Sequence, residues 1–568
     1  MVRLTVLVAG TALHSAASSG ALLSWPWNPP LPVRRDNSPK AFACDLNSFS
    51  RIVSDGITIE KVDIVQQGGS YGEGVANVPY PTNPINLPAL CAVTVRVNST
   101  EKSSYRFGLF LPDDWNGRML TVGNGDGRGI NWADMAMGPT HSGMAALSTD
   151  TGHSSAATDS AWANTKPERK TDWGWRAMKG SVDLGKKLVR AYYGDKQPLR
   201  YSYYSGCSTG GRQGLKQMQV APDSFDGALI GAPAWWPTHL NNWITRVSMF
   251  NLPMSDSKYM STTDMTVLGN EVIKQCDQLD GVQDNIISRP DLCEPDLSTI
   301  HCTNNIAIPG YCLTSAQLGT ARNVYNDVLS SQTPNLLYPG LTPGSEAHWY
   351  VVLQNGDQPS PYGIGYQKDF LFDQIDPNWD WTTFNESVFT YADKANPGDP
   401  GATDFGAMRK VRDRGGKVML YQGLADGLVP PKGTQLFYNR TEAFLESNGG
   451  KDVRDFLRMF LIPGMQHCWG TAVDAPWNIG AAFQAAQMGS GWVSVPGYED
   501  AGHDALMALM GWVENGTAVE SVVATTWALS MDPASGVKRQ RPVCAWPKNA
   551  VWDGKGNADV PGSWNCSG

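Results

Sequence analysis

The chain lacks any long hydrophobic run beyond its first residues, and it lacks an excess of positive charge. Past the short apolar stretch Leu4–Ala12, no segment offers the roughly 18 uninterrupted apolar residues that a transmembrane helix requires. Lysine and arginine number 45 against 54 aspartates and glutamates, a formal net charge of −9. Because like charges repel, this balance argues against nucleic acid and anionic membrane surfaces as partners. We therefore expect a soluble mature protein with neither kind of partner.

The N-terminus has the features of an export signal. Arg3 supplies the positive start, Leu4–Ala12 supplies the apolar run, and small residues follow up to Gly20. Because the run is too short to span a bilayer, it predicts a cleaved signal peptide over residues 1–20. We expect a secreted, extracellular protein.

The cysteines and sequons agree with export. Ten cysteines, an even number, fit an oxidising compartment. Sequence alone does not fix their pairing, but local spacing favours Cys44–Cys91, Cys276–Cys293, Cys302–Cys312 and Cys544–Cys566, which leaves Cys207 and Cys468. The chain also carries five glycosylation sequons, at Asn98, Asn385, Asn439, Asn515 and Asn565. Together these features indicate a glycosylated secreted protein.

Strand and helix patterns alternate along most of the chain. Period-2 and short apolar segments predict strands at residues 105–111, 118–122, 200–205, 225–230, 417–421 and 456–462. Helical patterns occur at residues 175–192, 265–276, 434–446 and 504–513. Such alternation predicts an α/β protein with a mostly parallel sheet covered on both faces.

The region from residue 235 to residue 400 differs from its flanks. It holds four of the cysteines, many Trp and Tyr residues and much irregular sequence, with one clear helix. We interpret it as a lid domain inserted into a sheet domain that comprises residues 44–234 and 401–568.

A Gly-x-Ser-x-Gly pattern is centred on Ser208. It follows one of the predicted strands and precedes a helical segment, which is the context of a nucleophile elbow. In such an elbow the serine hydroxyl stands at the top of the sheet, and the backbone N–H of the next residue, Thr209, faces a developing oxyanion. The alternative is a glycine-rich turn with an incidental serine.

A serine hydroxyl needs a base, and the chain has only eight histidines. His467 follows the strand predicted at residues 456–462, in a loop that suits a catalytic residue. His153 and His503 compete with it, although His503 begins an amphipathic helix and His153 follows a loop-like segment. A lone histidine is more often structural, so His467 needs further support.

The two remaining cysteines supply that support. Cys207 immediately precedes Ser208, and Cys468 immediately follows His467. A disulfide holds its Cα atoms roughly 4.4–6.8 Å apart, so a bridge here would clamp the two loops together. The alternative is two unrelated cysteines, but the double adjacency favours the clamp.

The acid that orients the base is expected between serine and histidine in the chain order of α/β-hydrolases. Asp426 fits because it follows the strand predicted at residues 417–421. Asp404 and Asp413 are weaker candidates, since they precede that strand, and a local turn role is the alternative for Asp426 itself. A glycine-rich turn after the strand at residues 118–122 makes Gly125 the candidate for a second oxyanion donor.

A separate acidic cluster comprises Asp277, Asp280 and Asp284. Three carboxylates within eight residues can supply hard oxygen ligands for Ca²⁺. The spacing is not that of an EF-hand, because Ser288 stands where the bidentate Glu would be. A solvated acidic turn is the alternative.

Four of these motifs resemble those of the fungal tannase/feruloyl esterase family, and the resemblance runs from about Cys44 to Cys566. They are YYSGCSTGGRQG at residues 203–214, GLAD at 423–426, PGMQHC at 463–468 and DQLDGVQD at 277–284. The resemblance implies an α/β-hydrolase fold with a large inserted lid and a triad of Ser208, Asp426 and His467. It also implies a Cys207–Cys468 bridge. The ligands that it implies for a structural Ca²⁺ ion are Asp277, Asp280, Asp284 and the carbonyl oxygens of Val282 and Ile286.

The chain departs from the family pattern at two places. Gln422 stands where the family often has His, and Asp126 replaces the last glycine of the early turn. Thr209 after the serine is closer to feruloyl esterase-like members, whereas tannase-like members tend to have an acidic residue there.

The resemblance therefore implies a secreted esterase that cleaves hydroxycinnamoyl esters of plant cell-wall polysaccharides, with an aromatic ester as its substrate partner. Three alternatives remain open: a tannase acting on galloyl esters, a catalytically dead glycan-binding protein, and a serine peptidase.

Overall fold

The computed structural model describes residues 42–125, 129–303, 310–373, 380–450, 452–488 and 494–568. The predicted signal peptide at residues 1–20 and the departure at Asp126 lie outside these residues.

A nine-stranded mixed sheet forms the centre of the protein. Its strands are β1 (Ile57–Val65), β2 (Leu90–Thr100), β3 (Ser103–Pro112), β4 (Arg118–Val122), β5 (Ala145–Thr149), β6 (Tyr201–Cys207), β7 (Gly227–Gly231), β8 (Lys417–Gly423) and β9 (Leu457–Ile462). They lie in the order β1-β2-β3-β5-β4-β6-β7-β8-β9. All neighbours from β5 to β9 are parallel, whereas β1, β2 and β3 pair antiparallel with one another and β3 pairs antiparallel with β5. The predicted mostly parallel sheet is therefore confirmed. The sequence patterns indicated β3, at residues 105–111, but not its antiparallel pairing, and they did not indicate β1, β2 or β5.

Helices cover both faces of the sheet. Around it lie helices Leu46–Ser50, Trp132–Met135, Met137–Ser142, Pro167–Thr171, Ala177–Tyr193, Thr209–Val220, Phe405–Asp413, Pro431–Ser447, Ala482–Gln487 and Ala505–Asn515. In β7, Ala228 and Ile230 belong to a buried cluster with residues of helices Thr209–Val220 and Pro431–Ser447. A Cβ on the intervening Gly227 would instead touch residues of helix Ala505–Asn515. Because successive strand residues face opposite sides, these contacts place helices on both faces.

The segment between β7 and β8 is an insertion with a core of its own. Its helices are Pro237–Phe250, Thr262–Cys276, Ser315–Tyr325, Tyr350–Leu353, Pro361–Gly365 and Ser387–Ala395, and strands Val328–Leu329 and Leu336–Tyr338 pair within it. A buried apolar cluster built mainly from this segment extends to Leu428 and Val429, just after β8. The insertion predicted at residues 235–400 thus lies between two neighbouring strands of the sheet.

The chain ends in two hairpins outside the nine-stranded sheet. Ser521–Leu529 pairs with Asp532–Cys544, and Asn549–Trp552 pairs with Trp564–Ser567. Among the described residues, no helix has both the length and the apolar character needed to cross a membrane.

Five disulfides account for all ten cysteines, each of which lies among the described residues. They are Cys44–Cys91, Cys207–Cys468, Cys276–Cys293, Cys302–Cys312 and Cys544–Cys566. The four local pairings favoured by spacing are confirmed, and so is the long-range pair.

Candidate active site

Ser208 occupies a sharp turn between β6 and the helix Thr209–Val220. Its backbone has φ 62° and ψ −122°, a left-handed φ that non-glycine residues rarely adopt. The Ser208 N–H donates to the Gly231 carbonyl at 3.0 Å, which fixes the turn against β7. Such strain persists only where the surrounding structure holds it, and it is typical of a nucleophile elbow.

Glycines allow two turns to approach each other closely at the elbow. A Cβ on Gly123 would lie 2.7 Å from the Gly210 Cα, and a Cβ on Gly210 would lie 2.8 Å from the Asn124 carbonyl oxygen. Side chains at either position would therefore separate the turn after β4 from the first turn of the elbow helix. The Gly-x-Ser-x-Gly pattern and the early glycine-rich turn meet in space for this reason.

Asp426 and His467 lie at the same edge of the sheet as Ser208. They follow β8 and β9, while Ser208 follows β6, and carboxyl ends of parallel strands meet at one edge. The His467 Nδ1 atom lies 2.7 Å from Asp426 Oδ2, and both side chains are buried. This bond fixes the imidazole orientation and leaves Nε2 as the ring nitrogen that can accept a proton.

The Asp426 carboxylate is held ionised by its surroundings. Burial alone would raise the pKa of Asp426, but the charge and hydrogen bond of His467 outweigh burial, and the pKa lies below its ordinary value. The backbone N–H groups of Leu428 and Val429 donate to Oδ1 at 2.8 and 3.0 Å. A permanently ionised carboxylate stabilises an imidazolium on His467.

Gln422, the departure from the family pattern, also contacts Asp426. Its Nε2 donates to Asp426 Oδ2 at 2.9 Å, and the Thr434 hydroxyl donates to Gln422 Oε1 at 2.7 Å. Thr434 thereby holds the amide with its NH₂ group toward the carboxylate. In this chain an amide provides the donor at the position where the family often has His.

The Cys207–Cys468 disulfide joins the serine turn to the histidine turn. Neighbouring strands lie about 4.8 Å apart, so the three steps from β6 to β9 separate their ends by roughly 14 Å. The bridge nevertheless holds the two Cα atoms 6.0 Å apart, because the loop after β9 turns back toward β6. Cys468 itself has φ 69°, a second left-handed residue beside this bridge. The backbone of this loop also lies directly against the end of β8. A Cβ on Gly423 would lie only 2.2 Å from the Met465 carbonyl oxygen, so this close approach requires glycine.

The two predicted oxyanion donors differ in their surroundings. Thr209 is the first residue of the elbow helix, where a backbone N–H has no acceptor within the helix. The Gly125 N–H donates to the Tyr80 hydroxyl at 2.9 Å. It can donate to an oxyanion only when this hydrogen bond breaks. A Cβ on Gly125 would lie 2.2 Å from the Phe483 ring, which explains the glycine.

The competing candidates have other local contacts. His503 lies 3.0 Å from the Asp500 carboxylate, and His153 stacks on the Trp162 ring. Asp404 caps helix Phe405–Asp413, and Asp413 pairs with Arg412.

A pocket of about 100 Å³ connects the elbow with the insertion. Ser208, Thr209 and Gly125 form part of its lining. Its aromatic lining residues are Trp162, Trp173, Tyr362, Tyr366 and Phe370. Tyr362, Tyr366 and Phe370 belong to the insertion, so this segment lines the pocket at the serine, as a lid does. A narrow pocket with aromatic walls suits a planar ring.

The acidic loop of the insertion has oxygen groups of the kind that bind calcium. Asp280 Oδ2 is buried without a hydrogen-bond partner in the described part of the chain, and such a carboxylate oxygen suits Ca²⁺ as a ligand. Asp284, however, accepts a hydrogen bond from Arg541, and the Arg539 guanidinium lies 3.4 Å from the Asp284 carboxylate. Within the described ranges, no three His, Cys, Asp or Glu side chains are arranged to hold a metal ion. The donor chemistry fits Ca²⁺, and the two arginines compete for one of its ligands.

Comparisons with known proteins agree with this fold. The family model "Tannase and feruloyl esterase" matches residues 91–567. The chain is 34% identical over 508 residues to a probable feruloyl esterase B-2 of Aspergillus terreus, which covers 88% of this chain and 91% of the relative. It is 31% identical to feruloyl esterase C of Talaromyces stipitatus, with 85% and 87% covered. The crystal structure of feruloyl esterase B from Aspergillus oryzae superposes with a TM-score of 0.81 at 28% identity, with 91% and 98% covered.

The fold and these relatives define a serine carboxylesterase of the α/β-hydrolase class. The chain belongs to the tannase and feruloyl esterase family.

Sequence reasoning missed most of the pocket wall. Trp162 and Trp173 lie in or beside short helical turns, and Tyr366 and Phe370 lie in a π-helical turn, Tyr366–Leu371. None of these segments has a clear amphipathic period. The sequence does contain one indication of this wall, namely the high density of Trp and Tyr in the insertion. In known structures, π-helical turns often occur at functional sites.

Proposed function

We propose that this protein hydrolyses hydroxycinnamoyl esters, with Ser208 as nucleophile, His467 as general base and Asp426 as the orienting acid. The observation that carries the proposal is the elbow serine in an aromatic-walled pocket, together with a His467–Asp426 pair at 2.7 Å whose loop the Cys207–Cys468 bridge joins to the serine turn. The names of the relatives, feruloyl esterases B and C, support the substrate class. Thr209 after the serine supports the feruloyl rather than the galloyl branch.

The reaction proceeds in two steps. Ser208 Oγ attacks the ester carbonyl carbon while His467 Nε2 takes the hydroxyl proton, and that proton passes to the departing alcohol as its C–O bond breaks. His467 then takes a proton from water, the resulting hydroxide attacks the acyl carbon, and the bond to Ser208 breaks with return of the proton to Oγ. The Thr209 N–H, with Gly125 as second donor, stabilises the oxyanion in both steps.

A pair of aromatic methyl esters tests the proposed substrate class. We expect kcat/KM for methyl ferulate to exceed that for methyl gallate by about tenfold or more, because a gallate ring lacks the propenoyl spacer and places its carbonyl differently in the same pocket. The reverse order would favour the tannase alternative. Absence of any burst with p-nitrophenyl acetate would instead favour a catalytically dead binding protein.

The location and the natural partner are also proposals. Five disulfides fit an oxidising compartment, and all five sequon asparagines are exposed. We propose a secreted glycoprotein whose substrate is a feruloyl-type ester on plant cell-wall polysaccharide. The net charge of −9 supports the absence of nucleic-acid or membrane partners.

We propose a structural Ca²⁺ ion in the lid, held by carboxylates of Asp277, Asp280 and Asp284 and by carbonyls of Val282 and Ile286. When bound, the ion neutralises the crowded carboxylates. Chelation with EDTA is expected to lower Tm by several degrees while the triad remains intact, since the ligands lie in the insertion. Scanning calorimetry with elemental analysis provides the measurement. A calcium-free protein whose Tm does not respond to EDTA would show that Arg541 and Arg539 neutralise Asp284 instead.

A further inference from the structure

A histidine of the insertion bonds directly to the loop that carries Asp426. The Gly427 N–H donates to His348 Nδ1 at 3.0 Å. Gly427 and His348 are both buried, so this N–H needs a partner inside the protein. Because Nδ1 accepts this bond, it carries no proton, and the proton of the neutral ring lies on Nε2. His348 thus meets the chain one residue after the acid of the proposed triad.

Three successive backbone N–H groups hold the Asp426 loop. Those of Leu428 and Val429 donate to Asp426 Oδ1 at 2.8 and 3.0 Å, whereas that of Gly427 donates to His348. Neighbouring peptide planes are rigid and share an α-carbon, so the position of one constrains the direction of the next. A shift of Gly427 would therefore also shift the donors that orient the Asp426 carboxylate.

The insertion and the Asp426 loop touch along their backbones. A Cβ on Gly427 would lie 2.7 Å from the His348 carbonyl oxygen and 3.0 Å from the His348 Cβ atom. The φ of Gly427 is not positive, so this contact, and not the backbone conformation, requires glycine. A second hydrogen bond joins the same two segments, from the Thr342 hydroxyl to the Leu424 carbonyl oxygen at 2.7 Å.

The turn that carries His348 is anchored in the core of the insertion. Trp349, the next residue, is fully buried in that core, and its Nε1 donates to the Ser345 hydroxyl at 2.8 Å. The His348 N–H donates to the Ser345 carbonyl oxygen at 2.8 Å. These contacts hold the backbone of His348 in place, so its ring presents Nδ1 to the loop from a fixed turn.

We infer that His348 is a positioning residue for ester hydrolysis: through Gly427 it holds the Asp426 loop, and thereby the His467 imidazole, in the geometry that proton transfer requires. This inference rests on the triad of the proposed function. His348 is not part of the pocket lining at Ser208, and it acts through Asp426, whose carboxylate lies 2.7 Å from His467 Nδ1. Loss of the bond therefore slows the proton transfers of both steps and leaves substrate binding nearly unchanged.

Two variants of similar shape test the role of the acceptor. Leucine and asparagine side chains both branch at Cγ, but only asparagine offers an acceptor oxygen in place of Nδ1. We expect His348→Leu to lower kcat about thirtyfold with KM within about twofold of wild type, because small misplacements of a catalytic group cost large factors in rate. His348→Asn should keep kcat within about threefold of wild type, because it restores the bond to the Gly427 N–H. Each factor should be the same for methyl ferulate and p-nitrophenyl acetate, since the bond acts on the triad and not on the acyl group.

Gly427→Ala disturbs the same contact from the other side. Its Cβ forces the two backbones apart, and we expect kcat to fall about tenfold with little change in KM. His301→Leu is the control for the loss of a histidine from the insertion. His301 is exposed and its Nε2 lies 2.8 Å from Ser315 Oγ, so kcat should stay within about twofold of wild type. All variants are assayed at a temperature where circular dichroism shows them folded.

The outcomes separate this inference from the proposed function. Equal losses of kcat in His348→Leu and His348→Asn, or wild-type kcat in His348→Leu or Gly427→Ala, would overturn the role of His348 while the proposed function stands. A wild-type enzyme that hydrolyses p-nitrophenyl acetate but not methyl ferulate would overturn the proposed substrate class, and the same variants then decide the inference on p-nitrophenyl acetate. A wild type that hydrolyses neither ester would overturn both.

Discussion

Replacing Ser208 by alanine is expected to lower kcat by roughly four to six orders of magnitude, as removal of a triad serine does in other hydrolases. The elbow places this hydroxyl at the end of β6, and no acyl-enzyme forms at Ser208 without it. The residual rate then comes from binding and from the oxyanion donors. Initial rates on methyl ferulate, with Tm measured in parallel, provide the test.

Ser202→Ala is the matched control for this substitution. Ser202 lies near the start of the same strand, six residues before Ser208, or roughly 20 Å along the strand. Its hydroxyl is buried without a partner in the described part of the chain. We expect kcat of this variant to stay within about twofold of wild type. Near-normal turnover by Ser208→Ala would contradict the assignment of the nucleophile.

Removing the Cys207–Cys468 bridge is expected to have the second largest effect. The double variant Cys207→Ala with Cys468→Ala should lose about a hundredfold in kcat with a much smaller change in KM. The bridge holds the Ser208 and His467 loops together across roughly 14 Å of sheet edge, and a misplacement of about 1 Å can cost a hundredfold. Stability should fall as well, by about 5.5 kcal/mol in the chain-entropy model for 261 residues of separation.

Cys302→Ala with Cys312→Ala controls for the loss of a disulfide as such. That bridge lies in the insertion and closes a separation of only 10 residues. Both double variants should be assayed at a temperature where circular dichroism shows them folded. A folded Cys207/Cys468 variant with kcat near that of the control would mean that packing alone positions the two loops. Peptide mapping that links Cys207 to any partner other than Cys468 would also refute the clamp.

Five of the six strands in the parallel half of the sheet, all except β5, were predicted from local sequence patterns, and three of these strands lead directly to the proposed triad residues. The strand that ends at Cys207 is a short Tyr-rich run, and the strands that end at Gly423 and Ile462 are short, mostly apolar runs. Each is followed by a residue of the proposed triad. Cysteine adjacency then added a distance constraint that spans 261 positions, which periodicity cannot supply.

The antiparallel arm and the pocket wall were not predictable in the same way. In β2, Leu90 to Val95 are all buried, so the strand has no alternation that would mark one face. The position of β2 in the sheet is decided by its antiparallel pairing with β3 on one side and with β1 on the other. The pocket wall depends on how the insertion packs over the elbow, and Tyr366 and Phe370 become neighbours of Ser208 only through that tertiary packing.

The central claim is that Ser208 carries the acyl group during turnover. Rapid acid quench of the enzyme with methyl ferulate, followed by peptide mass spectrometry, measures this directly. We expect one feruloyl group on the peptide that contains Ser208. In the variant His467→Ala, deacylation should slow more than acylation by an activated ester does. More of the acylated peptide should therefore accumulate in this variant when an activated ester is the substrate. A feruloyl group on any other residue would contradict the account. Turnover of methyl ferulate without any acylated peptide, under conditions that trap the acetyl group of p-nitrophenyl acetate on Ser208, would also contradict it.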